Sequence, residues 1–165
     1  WYGSRAGEST ENLALLLLGV KQITKAIAHE GKPKRKVRCQ DNAGMMVDRF
    51  IRAGFNVNAG RLVKQSLKIT DNEISGLIGI TSRTMQRKLK IGGKFDMITS
   101  DRLYRVAYIL ALATEVFEDE DAARKWLHAP QYDLAKRIPL EVIQTEAGAR
   151  EVENLLQRIE HGVMA

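Results

Sequence analysis

The chain has 165 residues and a mass of 18.5 kDa, enough for one ordinary domain or two small helical ones sharing a core, and long enough to fold without disulfide staples. Apolar residues at 44% and charged residues at 28% match globular averages, which excludes wholesale disorder and fibrous repeats. The net charge of +6 conceals a division, because residues 1–100 carry 18 Lys and Arg against 8 Asp and Glu, whereas residues 101–165 carry 8 against 12. A basic half suits nucleic-acid phosphates; an acidic half suits a protein partner and would be repelled by DNA.

Leu13, Leu16, Leu17, Val20, Ile23 and Ile27 recur at spacings of three and four and predict a helix from about Asn12 to His29. Leu15 and Leu18 widen its stripe, so it needs cover on two sides, either from a second subunit or from the core of one chain. The apolar run Leu13–Leu18 is far shorter than the roughly 18 residues of a membrane span, and it has neither a basic leader nor a small-residue cleavage pattern. The expectation is a cytoplasmic protein without a membrane segment, with Trp1 marking an expression or processing boundary. After Gly31, five cations (Lys32, Lys34, Arg35, Lys36, Arg38) surround Pro33 and read as a solvated loop, with a phosphate-contacting arm as the alternative. Cys39 is the sole cysteine, and His29, His128 and His161 are scattered, so neither a disulfide nor a structural metal is expected, and no cofactor.

A second helix is expected from Met45 to Gly54 with Met46, Phe50 and Ile51 inward, and a short third one over Leu62 to Leu67. No alternating run reaches strand length with hairpin chemistry, so the fold class is all-α. Thr70 to Lys90 reads as a helix-turn-helix. Thr70 and Glu73 form a capping box, and Ile74, Leu77 and Ile78 make the inner face of the first helix. Gly79 stands at the turn, Ile80 plugs the gap, and Thr81 or Ser82 caps a second helix reaching Lys90. Met85 and Leu89 point inward; Arg83, Arg87 and Lys90 cluster outward with Thr84 and Gln86 at the margins. Those residue types can donate to guanine, pair with adenine and neutralise phosphate, so Thr81, Ser82, Arg83, Thr84, Gln86, Arg87 and Lys90 are the candidate DNA-binding set. Ser75 occupies a position where alanine usually lets the two helices approach, and its hydroxyl needs a partner.

From Ser100, expected as a cap, a long helix presents Leu103, Val106, Ala107, Leu110, Ala113 and Phe117. An acidic turn, Glu118 to Asp121, leads to a helix with Ala122, Ala123, Trp126 and Leu127 inward, which Pro130 stops. Pro139 opens a short helical turn. Thr145 caps the last helix, where Glu146 pairs with Arg150, Val152, Leu155, Leu156 and Ile159 form the buried stripe, and Gly162 ends the pattern.

The segments SDRLYRVAYILALATEVF, AARKWLHAP and IPLEVIQTEAGAREVENLLQRIEHGVMA resemble the antitoxins of RES–Xre toxin–antitoxin systems, also called ParS- or MbcA-like, with the likeness running from about Phe55 to Ala165. Its most specific pieces are Trp126-Leu127 followed by Pro130, Pro139-Leu140, and Thr145-Glu146-Ala147-Gly148 leading to Arg158-Ile159-Glu160-His161-Gly162. Between the prolines the chain departs from the pattern, with Gln131 in place of an Asn and Ala135-Lys136 in place of a Gly-Gly turn. The resemblance implies an Xre-like helix-turn-helix portion followed by a small helical domain that binds a RES-domain, NAD-degrading toxin and obstructs its cleft.

The expected organisation is an N-terminal helix and basic arm at 1–44, a helix-turn-helix domain at 45–99 and a toxin-binding domain at 100–165. The expected partners are a cognate RES-domain toxin, operator DNA and a second copy in a homodimer. Candidate toxin contacts are Arg150, Glu153, Asn154, Gln157, Arg158, Glu160, His161 and the tail Gly162, Val163, Met164 and Ala165. An operon-repressing antitoxin is the leading reading; the alternative is a transcription regulator whose C-terminal half only dimerises or senses a ligand. An enzyme is not expected. There is no Gly-rich phosphate loop, Gly92-Gly93 being a turn, and Glu160 and His161 point about 100° apart on a helix, a poor acid–base pair.

Overall fold

The computed structural model describes residues 43–162. The apolar helix expected over 12–29, the basic run at 32–38, Cys39 and the tail Val163–Ala165 lie outside these residues. The described chain contains α1 (Ala43–Ala53), α2 (Val57–Leu67), α3 (Asp71–Ile78), α4 (Ser82–Ile91), α5 (Met97–Phe117), α6 (Glu120–His128), a 3-10 turn (Tyr132–Leu134), α7 (Pro139–Val142) and α8 (Glu146–Glu160). Among the described residues there is no strand, only isolated bridges between Asn56 and Lys94 and between Gln131 and Arg137. The fold is all-α, as the periodicity predicts.

α5 is the axis of the molecule. α1, α2 and α3 pack on it from the basic half, and α6 and α8 from the acidic half. A helix gripped on several sides needs apolar residues around much of its circumference, and Leu103, Val106, Ala107, Ile109 and Ala113 are all buried. One continuous core results, running from Phe55 through Ile74, Met85 and Leu127 to Leu156.

Several expectations change at this level. The cap of α5 is Asp96, whose side chain accepts from the Thr99 amide, and not Ser100. Ser100 lies one turn further in, fully buried, where its Oγ accepts from the Phe55 amide at 2.9 Å. α2 starts five residues before the expected Leu62, because Asn56 caps it through the Asn58 amide and Val57, Ala59, Gly60 and Val63 fill its inner face. On α1, Ile51 packs against the core, but Phe50 points outward and is exposed.

The acidic half is tied to the basic half by polar contacts as well as by its core. Arg124 donates to the Ser66 carbonyl at 2.7 Å, and the His128 ring meets the Leu67 carbonyl at 3.2 Å. Arg105 bridges Asp101 on its own helix and Glu146 on α8.

Between the prolines, Ala135 and Lys136 occupy the left-handed region at φ 54° and 61°, the conformation that a Gly-Gly pair adopts without strain. The loop keeps that shape because it is fastened from both sides. Gln131 donates through Nε2 to the carbonyls of Trp126 and Ala129, and its own carbonyl accepts from the Lys136 amide at 2.9 Å. The Gln131 amide in turn reaches the Arg137 carbonyl.

Candidate functional site

The helix-turn-helix is assembled by local chemistry. Thr70 Oγ1 accepts from the Glu73 amide while the Glu73 carboxylate accepts from the Thr70 amide at 2.7 Å, a complete capping box. Those hydrogen bonds hold the Glu73 carboxyl below its usual range. Gly79 then turns the chain at φ 73°, where a side chain would also run into the Arg102 guanidinium. Ile80 is partly buried against the core. Thr81 caps α4 by accepting from the Thr84 amide at 3.1 Å.

Met85 is fully buried under α4 and Leu89 packs beside it, which aims the opposite face at solvent. Arg83, Gln86, Arg87 and Lys90 are exposed there within two turns of each other. Among the described residues, none of the three cations is held in an ion pair, so their charge is available to a ligand. The margins are engaged inside the protein. Ser82 donates to Asn72 of α3, the hydroxyls of Thr81 and Thr84 lie 2.9 Å apart, and Gln86 joins Lys64 in holding the Asp71 carboxyl low, with Lys64 the larger influence. The Ser82–Asn72 bond ties α4 to α3, and Arg83, Gln86, Arg87 and Lys90 remain directed outward.

At the far end, Thr145 caps α8 through the Gly148 amide at 3.1 Å. Gly148 is required by proximity, since a Cβ there would meet the Val142 carbonyl oxygen and the capping hydroxyl. Val152, Leu155 and Leu156 are buried and Ile159 packs beside them, which leaves Arg150, Asn154, Gln157, Arg158, Glu160, His161 and Gly162 exposed. Glu153 is placed differently. It is half-buried against α5, where its carboxylate accepts from the Tyr108 hydroxyl at 2.6 Å; burial, and then that carboxylate, push the Tyr108 hydroxyl far above the ordinary tyrosine range. Glu115, close by, is raised by burial and secondarily by Glu160.

Two family models divide this architecture along α5. The antitoxin Xre-like helix-turn-helix domain matches residues 46–108, and the antitoxin Xre/MbcA/ParS C-terminal toxin-binding domain matches residues 112–162. The chain is 30% identical over 132 residues to the antitoxin Xre of Yersinia enterocolitica serotype O:8, covering 79% of this chain and 89% of the relative. The chain belongs to the Xre antitoxin family. Other relatives are the antitoxin Xre of Photorhabdus laumondii, 28% identical over the same shares of both chains, and that of Pseudomonas putida, 31% identical over 50% of this chain and 52% of the relative.

In this Xre-family antitoxin the two matched domains are therefore joined through α5 and share one core. Among the described residues no helix is long and apolar enough to cross a membrane, and no three His, Cys, Asp or Glu side chains gather as a metal site. Sequence reasoning missed the residues that position the surfaces: Asn72 beneath Ser82, Tyr108 beneath Glu153, and Asp133, whose carboxylate lies 3.8 Å from Arg158 on α8. Each pairs residues from different elements, and nothing in the local pattern announces such a pairing. Gly148 was the exception, visible as part of a recurring motif before its steric reason was.

Proposed function

We propose that this antitoxin acts in the cytoplasm as a homodimer, blocks a RES-domain, NAD-degrading toxin through the end of its 100–165 region, and represses its own operon through the 45–99 region. The observation that carries the DNA half is the exposed, unneutralised cationic face of α4 behind a fully capped helix-turn-helix. Arg83 and Arg87 are the base-reading candidates and Lys90 the phosphate contact. The toxin half is supported by the matched toxin-binding domain, by the RES–Xre resemblance of the segment 138–165, and by charge. A cleft that holds the anionic pyrophosphate of NAD favours basic walls, and the exposed Glu160 supplies negative charge to fill it. The proposed contact set is Arg150, Glu153, Asn154, Gln157, Arg158, Glu160, His161 and the tail, with Glu153 additionally bonded to Tyr108. The homodimer is supported by the apolar periodicity of the sequence from Leu13 to Ile27 and by the two-fold character of helix-turn-helix operators, whose half-sites lie roughly 34 Å apart.

The test is co-expression with the RES-domain protein encoded beside the antitoxin gene. Deletion of Arg158–Ala165 is expected to abolish protection and NAD retention while operator shifts persist; continued protection by the truncated protein refutes the toxin reading. Arg83→Ala with Arg87→Ala is expected to weaken operator binding by about 1 to 3 kcal/mol for each base-contacting arginine. Unchanged affinity in the double variant refutes the assignment of α4.

A further inference from the structure

Six large apolar side chains are strongly exposed among the described residues: Met45, Phe50, Ile91, Met97, Ile98 and Tyr132. Five precede residue 112. Only Tyr132 lies in the matched toxin-binding domain, and at 84% exposure it is the most exposed of the six. A single exposed aromatic is unremarkable in itself. What distinguishes this one is the way the chain holds it out.

Tyr132 opens the 3-10 turn between the two prolines, with Leu134 buried beneath it. The two left-handed residues that follow, Ala135 and Lys136, are an unfavourable conformation that survives only where the surroundings over-determine it, and here the Gln131 hydrogen bonds do so. The ring thus stands on a fixed platform. Burying it against a partner would order only two side-chain torsions, the circumstance in which tyrosine contributes most to binding. Asp133, the next residue, faces Arg158 at 3.8 Å, so the platform is joined to the last turns of α8 and its polar outer face. An aromatic centre bordered by Asp133 and Arg158 has the pattern of an interface core with a charged rim.

We propose that Tyr132 is an aromatic anchor of the toxin interface, seated in an apolar pocket of the toxin beside the site taken by the end of α8. This rests on the reading that α8 and its tail contact the toxin. The anchor lies outside that helix, on the loop where this chain departs from the family pattern at Gln131 and Ala135-Lys136.

The test measures affinity of the full-length antitoxin for the RES-domain protein encoded beside it, by calorimetry, for the parent, Tyr132→Ala, Tyr132→Phe and the Arg158–Ala165 deletion. Tyr132→Ala is expected to weaken binding at least about tenfold and Tyr132→Phe less than about threefold, with helix content and operator binding unchanged. If Tyr132→Ala binds like the parent while the deletion weakens binding, the anchor is overturned and the α8 reading stands. If neither variant matters, or the parent does not bind, both fall. If Tyr132→Ala alters only the oligomeric state of the free antitoxin, the occupant of this surface is a second copy and the proposal is wrong.

Discussion

Ser75 is buried at 2% exposure in the middle of α3, and among the described residues its Oγ has no hydrogen-bond partner. A hydroxyl taken out of water and left unmatched costs about 1 to 3 kcal/mol, and serine within a helix is roughly 0.5 kcal/mol less favourable than alanine. Replacing it by alanine removes both penalties and forfeits only the dispersion contacts of one oxygen, so Ser75→Ala is expected to stabilise the protein by about 1 to 2.5 kcal/mol. For a chain of this size each kcal/mol raises the melting temperature by about 2 to 4 °C. Urea unfolding followed by helical circular dichroism gives the free energy directly, with an unchanged slope showing that the exposed area has not altered. Operator affinity should hold, because Ser75 faces the interior and not the surface of α4. A variant that is no more stable, or less stable, would mean that the hydroxyl is satisfied in the folded protein and would refute the reasoning.

Replacing Ala135 and Lys136 by glycine is expected to stabilise by roughly 0.5 to 1 kcal/mol each, the relief of left-handed strain exceeding the added entropy of the unfolded chain; the same unfolding curves decide it. Gly148→Ala should destabilise by about 1 to 3 kcal/mol, because the new methyl meets the backbone of α7 and cannot be relieved by rotating a side chain; a midpoint equal to the parent's would contradict the close approach. Asp71, Glu73 and Asp96 have carboxyls held low in the folded state, by Lys64, by Thr70 and by Thr99 respectively. The stability they lend is complete above the unfolded carboxylate range, near pH 4, and is lost as pH falls through the lowered values. Asp96→Asn keeps a capping side chain but removes the titration, so its loss of stability between pH 5 and pH 2, measured by urea midpoints, should be shallower than the parent's. Glu115 works in the opposite sense, its raised pKa making the charged form unfavourable at neutral pH, so Glu115→Gln should gain stability at pH 7 and not at low pH.

What could be read before folding was chemistry confined to a few neighbouring residues. The Thr70–Glu73 box, the turn at Gly79, the cap at Thr81, the helix start at Pro139 and the Glu146–Arg150 pair each involve residues within four positions, and all are present. Errors arose where two local signals competed or where the third dimension decided. Asp96 and Ser100 are both good caps one turn apart, and the choice was made by Phe55, whose amide claims the Ser100 hydroxyl. Phe50 looked like core because it is aromatic at helical spacing, yet the face of α1 that meets the core is the one bearing Ile51. The Glu153–Tyr108 bond was not legible at all, because only the packing of α8 on α5 brings the two together. The outward set on α4 was legible for the reason that the caps were: Met85 and Leu89, four apart, leave one direction for Arg83, Arg87 and Lys90.

α5 spans 21 residues, about 30 Å, and belongs to the cores of both the matched helix-turn-helix domain and the matched toxin-binding domain. Unfolding that reaches α5 loosens packing in both matched domains together, whereas fraying confined to the last turn of α8 leaves α5 in place.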